Sequence, residues 1–194
     1  MGGYSGIGAF SGNFLRNDTG GNPAAATTLT LNGLPSHSSV GLSFLLAMID
    51  SWDGDDSTWG PDFFNVKVDG VPIFNETVAF YANQYNPGTD QSYHPLSQVI
   101  LSEDPIAYDM KFDPAFTFPH SANTLTIEWF ASGGGWQGDD DESWAIDNVE
   151  VILDPEPIVD PDTSAPIPTM SGWALITLSL MLVLMVFTNR KRLF

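Results

Sequence analysis

Two stretches of this chain repeat one short pattern rich in carboxylates. Trp52-Asp53-Gly54-Asp55-Asp56 and Trp136-Gln137-Gly138-Asp139-Asp140 share Trp-x-Gly-Asp-Asp, and Asp141 and Glu142 extend the second. Each follows a run with strand character. If both strands point the same way, the two loops meet at one end of the fold and assemble Asp53, Asp55, Asp56, Asp139, Asp140, Asp141 and Glu142. Carboxylates in reach of one another repel unless water or a hard cation screens them, and oxygen-rich loops suit Ca²⁺. The spacing is not that of an EF-hand, so the pattern reads equally as two solvated acidic turns pinned by tryptophan. Trp52, Trp59 and Trp136 are either core anchors or flat faces for stacking a sugar ring.

A further carboxylate stands inside an apolar run, Ser143-Trp144-Ala145-Ile146-Asp147-Asn148-Val149-Glu150-Val151. If Val149 and Val151 face inward, period two puts Ala145 and Asp147 on the same buried face, where a carboxylate needs donors or a cation. Asp147 is expected either to hold a cation or to cap backbone N–H groups of an adjacent loop. His37, His94 and His120 each sit in or beside a turn cluster without metal-ligand spacing and read as surface residues. No Gly-x-Ser-x-Gly elbow and no phosphate-binding Gly-rich loop occurs. Glycoside hydrolysis needs two carboxylates ~5 to 10 Å apart, and Glu128 and Glu142 are the pair to test. A strand motif Glu-x-Asp-x-x-Glu is missing, so the expectation is a protein that is not an enzyme. Asn17-Asp18-Thr19 and Asn75-Glu76-Thr77 fit the N-glycosylation pattern by chance.

The elements that must position these groups are strands. Thr28 to Leu31, Val40 to Ile49, Phe64 to Val68, Val71 to Phe74, Leu125 to Trp129 and Trp144 to Leu153 alternate with period two between clusters of Gly, Pro, Asn, Asp and Ser. Val40, Leu42, Phe44, Leu46 and Met48 share one face, and Asp69-Gly70 suits a two-residue hairpin turn. Nothing before Trp173 keeps a 3.6 period for long. The fold class is all-β, an antiparallel sandwich or jelly roll. Tyr81 to His120 is interrupted by Pro87, Pro95, Pro105, Pro114 and Pro119, which permit only short strands or long loops. Residues 1–24 read as irregular with one short strand near Phe10 to Leu15, and 25–153 as the sandwich. Residues 154–166 form a Pro/acid-rich linker, and the stretch from Asp154 to Pro168 is a semi-rigid polyproline spacer ~45 Å long at ~3.1 Å per residue.

Charge divides the chain in the same place. All 24 acidic residues precede Pro166, opposed there only by Arg16, Lys67 and Lys111. Such a field repels nucleic acid and anionic lipid and attracts cations. With no cysteine there is no disulfide and no thiolate chemistry. Met170 to Thr188 carries no charge and spans ~28 Å as a helix at ~1.5 Å per residue, close to the ~30 Å hydrocarbon core of a bilayer. Trp173 stands at its outer edge, and Arg190, Lys191 and Arg192 follow as a stop-transfer cluster. The positive-inside rule then puts the C-terminus in the cytoplasm and the acidic domain outside. Export needs a leader, yet MGGYSGIGAFSGNF has neither a basic start nor an adequate apolar run, so the expectation is a start set too far downstream or a missing N-terminus.

Ile167-Pro168-Thr169-Met170-Ser171-Gly172-Trp173, an apolar helix and a terminal basic cluster together resemble the IPTL-CTERM protein-sorting domain. That pattern reads Ile-Pro-Thr-Leu, two residues, Trp-Gly, so Met170 and Ala174 depart from it. The resemblance implies a bacterial cell-envelope precursor, anchored once in the membrane, recognised at Ile167, Pro168, Thr169, Met170 and Trp173 by an exosortase-type enzyme. Processing would release the domain or attach it at the cell surface. The stretch from Leu31 to Asp56, LNGLPSHSSVGLSFLLAMIDSWDGDD, and the closing SWAIDNVEVIL are similar to lectin-like and carbohydrate-binding jelly rolls. This implies a binding or adhesive module with a glycan or another extracellular polymer as ligand, and a structural Ca²⁺ at the position of Asp147.

Overall fold

Strand β3 (Ser39–Asp50) is the spine of the fold, and its sequence explains why. Val40, Leu42, Phe44, Leu46 and Met48 supply a buried face, while Leu45 and Ala47 on the other face are buried as well. A strand apolar on both sides must lie inside a covered sheet rather than at its edge. In a computed structural model the described residues are 14–79, 100–103 and 106–155. All belong to the first of two units, Met1–Glu156, the second being Pro157–Phe194.

Besides β3 the strands are β1 (Leu15–Asn17), β2 (Thr27–Asn32), β4 (Phe63–Val68), β5 (Val71–Thr77), β6 (Ile100–Glu103), β7 (Ile106–Asp109), β8 (Thr117–Pro119), β9 (Thr124–Ser132) and β10 (Glu142–Leu153). Two 3₁₀ turns, Met110–Phe112 and Pro114–Phe116, lie between β7 and β8. One sheet runs β1-β10-β3-β7-β6 with β8 also on β3, and the other runs β2-β9-β4-β5. Every pairing is antiparallel. The chain is thus mostly β in two sheets, as the period-two runs imply, with no α-helix among the described residues.

The inner faces of both sheets meet in one core. Phe44, Leu46, Trp144 and Ile146 come from the first sheet, and Phe64, Val66, Ile127 and Trp129 from the second. Aromatic rings lock it edge to face, Phe44 against Phe116 at 5.1 Å, and Phe64 against Trp144 at 5.3 Å. Such pairs add ~0.5–1.5 kcal/mol beyond the area they bury. A smaller cluster, Phe14, Leu45, Ala47, Ala107 and Ala145, lies on the outer face of the first sheet. Asp69 and Gly70 turn β4 into β5 with φ of 49° and 77°. Both central residues are left-handed, the tight-hairpin geometry that Asp-Gly favours.

Three expectations need correction or placing. The irregular segment 1–24 contributes to the sheet, because Leu15 to Asn17 pair with Ile146 to Trp144 of β10. A short strand is expected near Phe10 to Leu15, and among the described residues it begins at Leu15. The compact unit also runs past residue 153, since Asp154 Oδ1 accepts hydrogen bonds from the backbone N–H groups of Ser38 and Ser39 at 2.8 and 3.0 Å. The linker beyond Pro155, the sorting motif, the transmembrane helix and the basic cluster lie outside the described residues, as does His94. Among the described residues no helix is long and apolar enough to cross a membrane.

Candidate functional site

The two acidic loops do meet. Ser51 N–H donates to Asp141 O at 3.1 Å, and the Trp52 and Trp136 rings pack with centroids 4.9 Å apart. The Trp52 indole N–H donates to Ser143 O at 2.8 Å, and that of Trp136 donates to Thr19 O at 3.0 Å. Each tryptophan therefore nails its loop to a neighbouring segment through a buried ring and one donor. Trp52 is 0% and Trp136 6% exposed, so neither offers a face to a sugar, and the stacking expectation for this pair is corrected. Trp59, farther along the first loop, is 63% exposed.

Beneath the tryptophans sits a group of buried carboxylates that the repeat only half announces. One oxygen each from Asp53, Asp62 and Glu142 lies within 4.8 Å of the other two. Their exposures are 7%, 0% and 0%. Strand parity explains the burial. Asp62, Phe64, Val66 and Val68 share one face of β4 and its entry, and Glu142, Trp144 and Ile146 share one face of β10. Both carboxylates thus occupy positions where the pattern calls for another apolar side chain.

Their hydrogen bonds are incomplete. Asp62 Oδ2 accepts from Asp53 N–H at 2.7 Å, and Glu142 Oε2 accepts from Gln137 N–H at 2.7 Å. Asp62 Oδ1 and Glu142 Oε1 are buried and have no donor. One oxygen of each lies within 4.8 Å of the other side chain. Burial pushes the Glu142 carboxyl up to about 8, against the pull of the Gln137 N–H and with help from the charges of Asp62, Asp141 and Asp53. Burial likewise raises Asp62 to about 6, opposed by the Asp53 N–H and reinforced by the Asp53 charge. Asp53 is raised by burial first, then by Asp56 and Asp141. Among the described residues no Lys, Arg or His forms an ion pair with any of the three, the one ion pair being His120 with Asp69. Chemically, the cluster can hold protons or a hard cation.

Glycines let the loops close around it. A Cβ on Gly135 would stand 2.0 Å from Trp59 O and 2.7 Å from Asp62 Oδ1. No side chain fits between the loops there, nor at Gly133, where a Cβ would stand 1.9 Å from Pro61 O, whereas Gly134 between them has room.

The other expected ligands go elsewhere. Asp55, Asp139 and Asp140 are not among the buried carboxylates, all three being exposed. Asp56 Oδ1 accepts from Thr58 and Trp59 N–H at 2.7 and 2.9 Å, bonds that hold its carboxyl below the usual range. Asp147 is not with them. It lies five residues beyond Glu142 on β10, ~17 Å at ~3.4 Å per residue. The period-two argument fails because β10 bulges between Asp147 and Glu150, with Asn148 at φ 51°. Ala145 accordingly belongs to the outer cluster and Val149 is 40% exposed, while Val151 packs on the inner core. Asp147 Oδ1 accepts from Asn148 N–H at 2.8 Å, a local cap. Glu128 sits between core-facing Ile127 and Trp129 and so points away from the core that Glu142 enters; the two are not brought together. The histidines read as separate are joined instead: His37 Nε2 and His120 Nδ1 are 2.6 Å apart, and His120 Nε2 lies 3.1 Å from Asp69.

Asp62 is the residue sequence reading passed over. The signal was available: an Asp two positions before Phe64 continues the inward face of Phe64, Val66 and Val68.

The comparisons bear on the other end of the chain. Residues 165–192 match the IPTL-CTERM motif. The motif supports an exported cell-envelope protein with a C-terminal sorting signal and implies processing by an exosortase-type enzyme. No curated protein and no solved structure matches the chain.

Proposed function

We propose that this chain is a non-enzymatic module of the bacterial cell envelope, displayed at or released from the surface, where it serves adhesion or the extracellular matrix. The observation that carries this reading is the sorting motif at 165–192, placed after a separate β-rich unit that ends at Glu156. A sorting tail needs cargo that folds apart from it, and a sandwich with its own core is suitable cargo. The precursor would cross the membrane once, with Arg190, Lys191 and Arg192 on the cytoplasmic side. The acidic surface keeps the module soluble and away from anionic polymers.

The test is fractionation of the native host with an epitope in the β5 to β6 connection. The expected product is an envelope or medium fraction shortened at its C-terminus, and Trp173→Ala or removal of the exosortase-type enzyme should leave the full-length precursor in the membrane. A chain that stays in the cytoplasm with its tail intact overturns the proposal.

Glycan binding is a second reading, favoured by one observation. Trp59 is 63% exposed on the first acidic loop, where its ring is open to stacking on a sugar. A glycan array on the wild type and Trp59→Ala decides it, and equal signals from the two remove Trp59 from any such role.

A further inference from the structure

Three carboxylates buried together, with two of their oxygens lacking any donor, need a compensating positive charge. Asp62 and Glu142 are fully buried, and each spends one oxygen on a backbone N–H while the other, Asp62 Oδ1 or Glu142 Oε1, has none. Asp53, at 7% exposure, is the least deeply buried of the three. A single proton shared by Asp62 and Glu142 leaves two buried negative charges, with Asp56 and Asp141 close enough to act on the group. Buried charge persists only when paired or bound to metal, and no basic side chain pairs with these three among the described residues.

We propose that Asp53, Asp62 and Glu142 form a divalent-cation site that takes Ca²⁺ and ties the two acidic loops together. The donor set consists of carboxylate oxygens alone, which suits a hard cation and not Zn²⁺, whose sites favour nitrogen and sulfur. Coordination habit separates Ca²⁺ from Mg²⁺: Ca²⁺ accepts irregular oxygen shells, whereas Mg²⁺ demands near-ideal octahedral geometry and sheds its water reluctantly. One oxygen from each carboxylate lies within 4.8 Å of the other two, close enough for one ion to touch all three. Ca²⁺ needs six to eight oxygens, and water supplies those that the three carboxylates do not. The site is independent of the surface-display reading, because it is a property of the fold and not of the tail.

The experiment uses the full chain in detergent, stripped with EDTA and titrated with CaCl₂ or MgCl₂ at matched ionic strength. Calorimetry should show one saturable Ca²⁺ site, binding Ca²⁺ in preference to Mg²⁺, and the melting temperature should rise with CaCl₂ as ligand binding to the native state requires. Asp62→Asn and Glu142→Gln should each weaken Ca²⁺ at least ~10-fold, the size of loss typical for groups that hold a metal. Asp139→Asn and Asp140→Asn should leave it unchanged. Should the buried variants not fold, Tb³⁺ replaces Ca²⁺ in the wild type. Its emission should be excited through the indole of Trp52, fall in Trp52→Phe, and be displaced by Ca²⁺. Identical melting in EDTA and CaCl₂ with no sensitised Tb³⁺ emission overturns the site. So does loss of binding in Asp139→Asn with retention in Glu142→Gln.

Discussion

Two glycines of this fold demand glycine for different reasons, and they should respond differently to a methyl group. At Gly135 the obstacle is space, with Trp59 O 2.0 Å and Gly60 Cα 2.6 Å from the position of a Cβ. The obstruction is backbone and cannot swing aside, so Gly135→Ala should cost more than ~3 kcal/mol, in the range reserved for overpacking and strain. At Gly70 nothing lies within 4 Å, but φ is +77°. Gly70→Ala should cost only ~1 kcal/mol, the left-handed penalty. Urea unfolding of both variants checks the order, and equal costs would show that the loops around Asp62 can part. Asp154 makes a pH-dependent prediction. The Ser38 and Ser39 N–H and hydroxyl groups converge on its Oδ1, and these bonds hold the carboxyl below its ordinary 3.8, the Ser38 N–H contributing most. A carboxyl lowered in the folded state stabilises above the unfolded value and loses that contribution as pH falls through the folded one. The melting temperature of the wild type should therefore exceed that of Asp154→Asn at about pH 6, and the difference should shrink toward zero as the carboxyl takes up its proton in acid.

At the scale of the element, the bulge in β10 decides more than any side chain on it. It brings Val151 onto the inner face of Trp144 and Ile146 while Val149, inside the bulge, stays 40% exposed, and Asn148 carries the bend at φ 51°. Asn tolerates this region better than most residues, whereas a β-branched residue does not. Asn148→Gly should be nearly neutral, and Asn148→Val should cost ~1–2 kcal/mol by thermal denaturation; a neutral Asn148→Val would mean the bulge slides. The same element shows what was legible beforehand. The inward faces of β3, β4 and β9 could be read from Val40 to Met48, Phe64 to Val68 and Leu125 to Trp129, because alternation is unbroken there. The Asp69-Gly70 hairpin was legible from turn chemistry alone. In β10 the alternation breaks at a residue whose backbone angle no pattern records, so Asp147 was placed on the wrong face. The acidic site was half legible. The repeated Trp-x-Gly-Asp-Asp brought the right loops together and included Asp53 and Glu142, but it led toward Asp55, Asp139 and Asp140, which stay outside the buried group. Asp62 lay outside the repeat, and only its phase with Phe64 could have revealed it.

For the whole molecule, the net charge of −18 sets a background against which any specific cation effect must be judged. Like charges packed into one sandwich repel and destabilise the compact state, and salt relieves this as the screening length falls from ~30 Å at ~0.01 M to ~3 Å at ~1 M. The melting temperature should therefore climb with NaCl over that whole range without reaching a plateau at low concentration. Screening acts on every exposed carboxylate alike, so Asp139→Asn or Asp140→Asn should flatten the NaCl response as much as any other single neutralisation. A bound ion acts differently. It saturates when the three buried carboxylates are filled, and its effect depends on Asp62 and Glu142, whereas screening by Na⁺ acts on the exposed carboxylates. Melting curves in CaCl₂ should consequently show a steep rise that saturates, followed by the shallow slope shared with NaCl at equal ionic strength. If the CaCl₂ curve merely overlays the NaCl curve, calcium is acting on the surface as any salt does, and the stability of this acidic sandwich comes from its aromatic core alone.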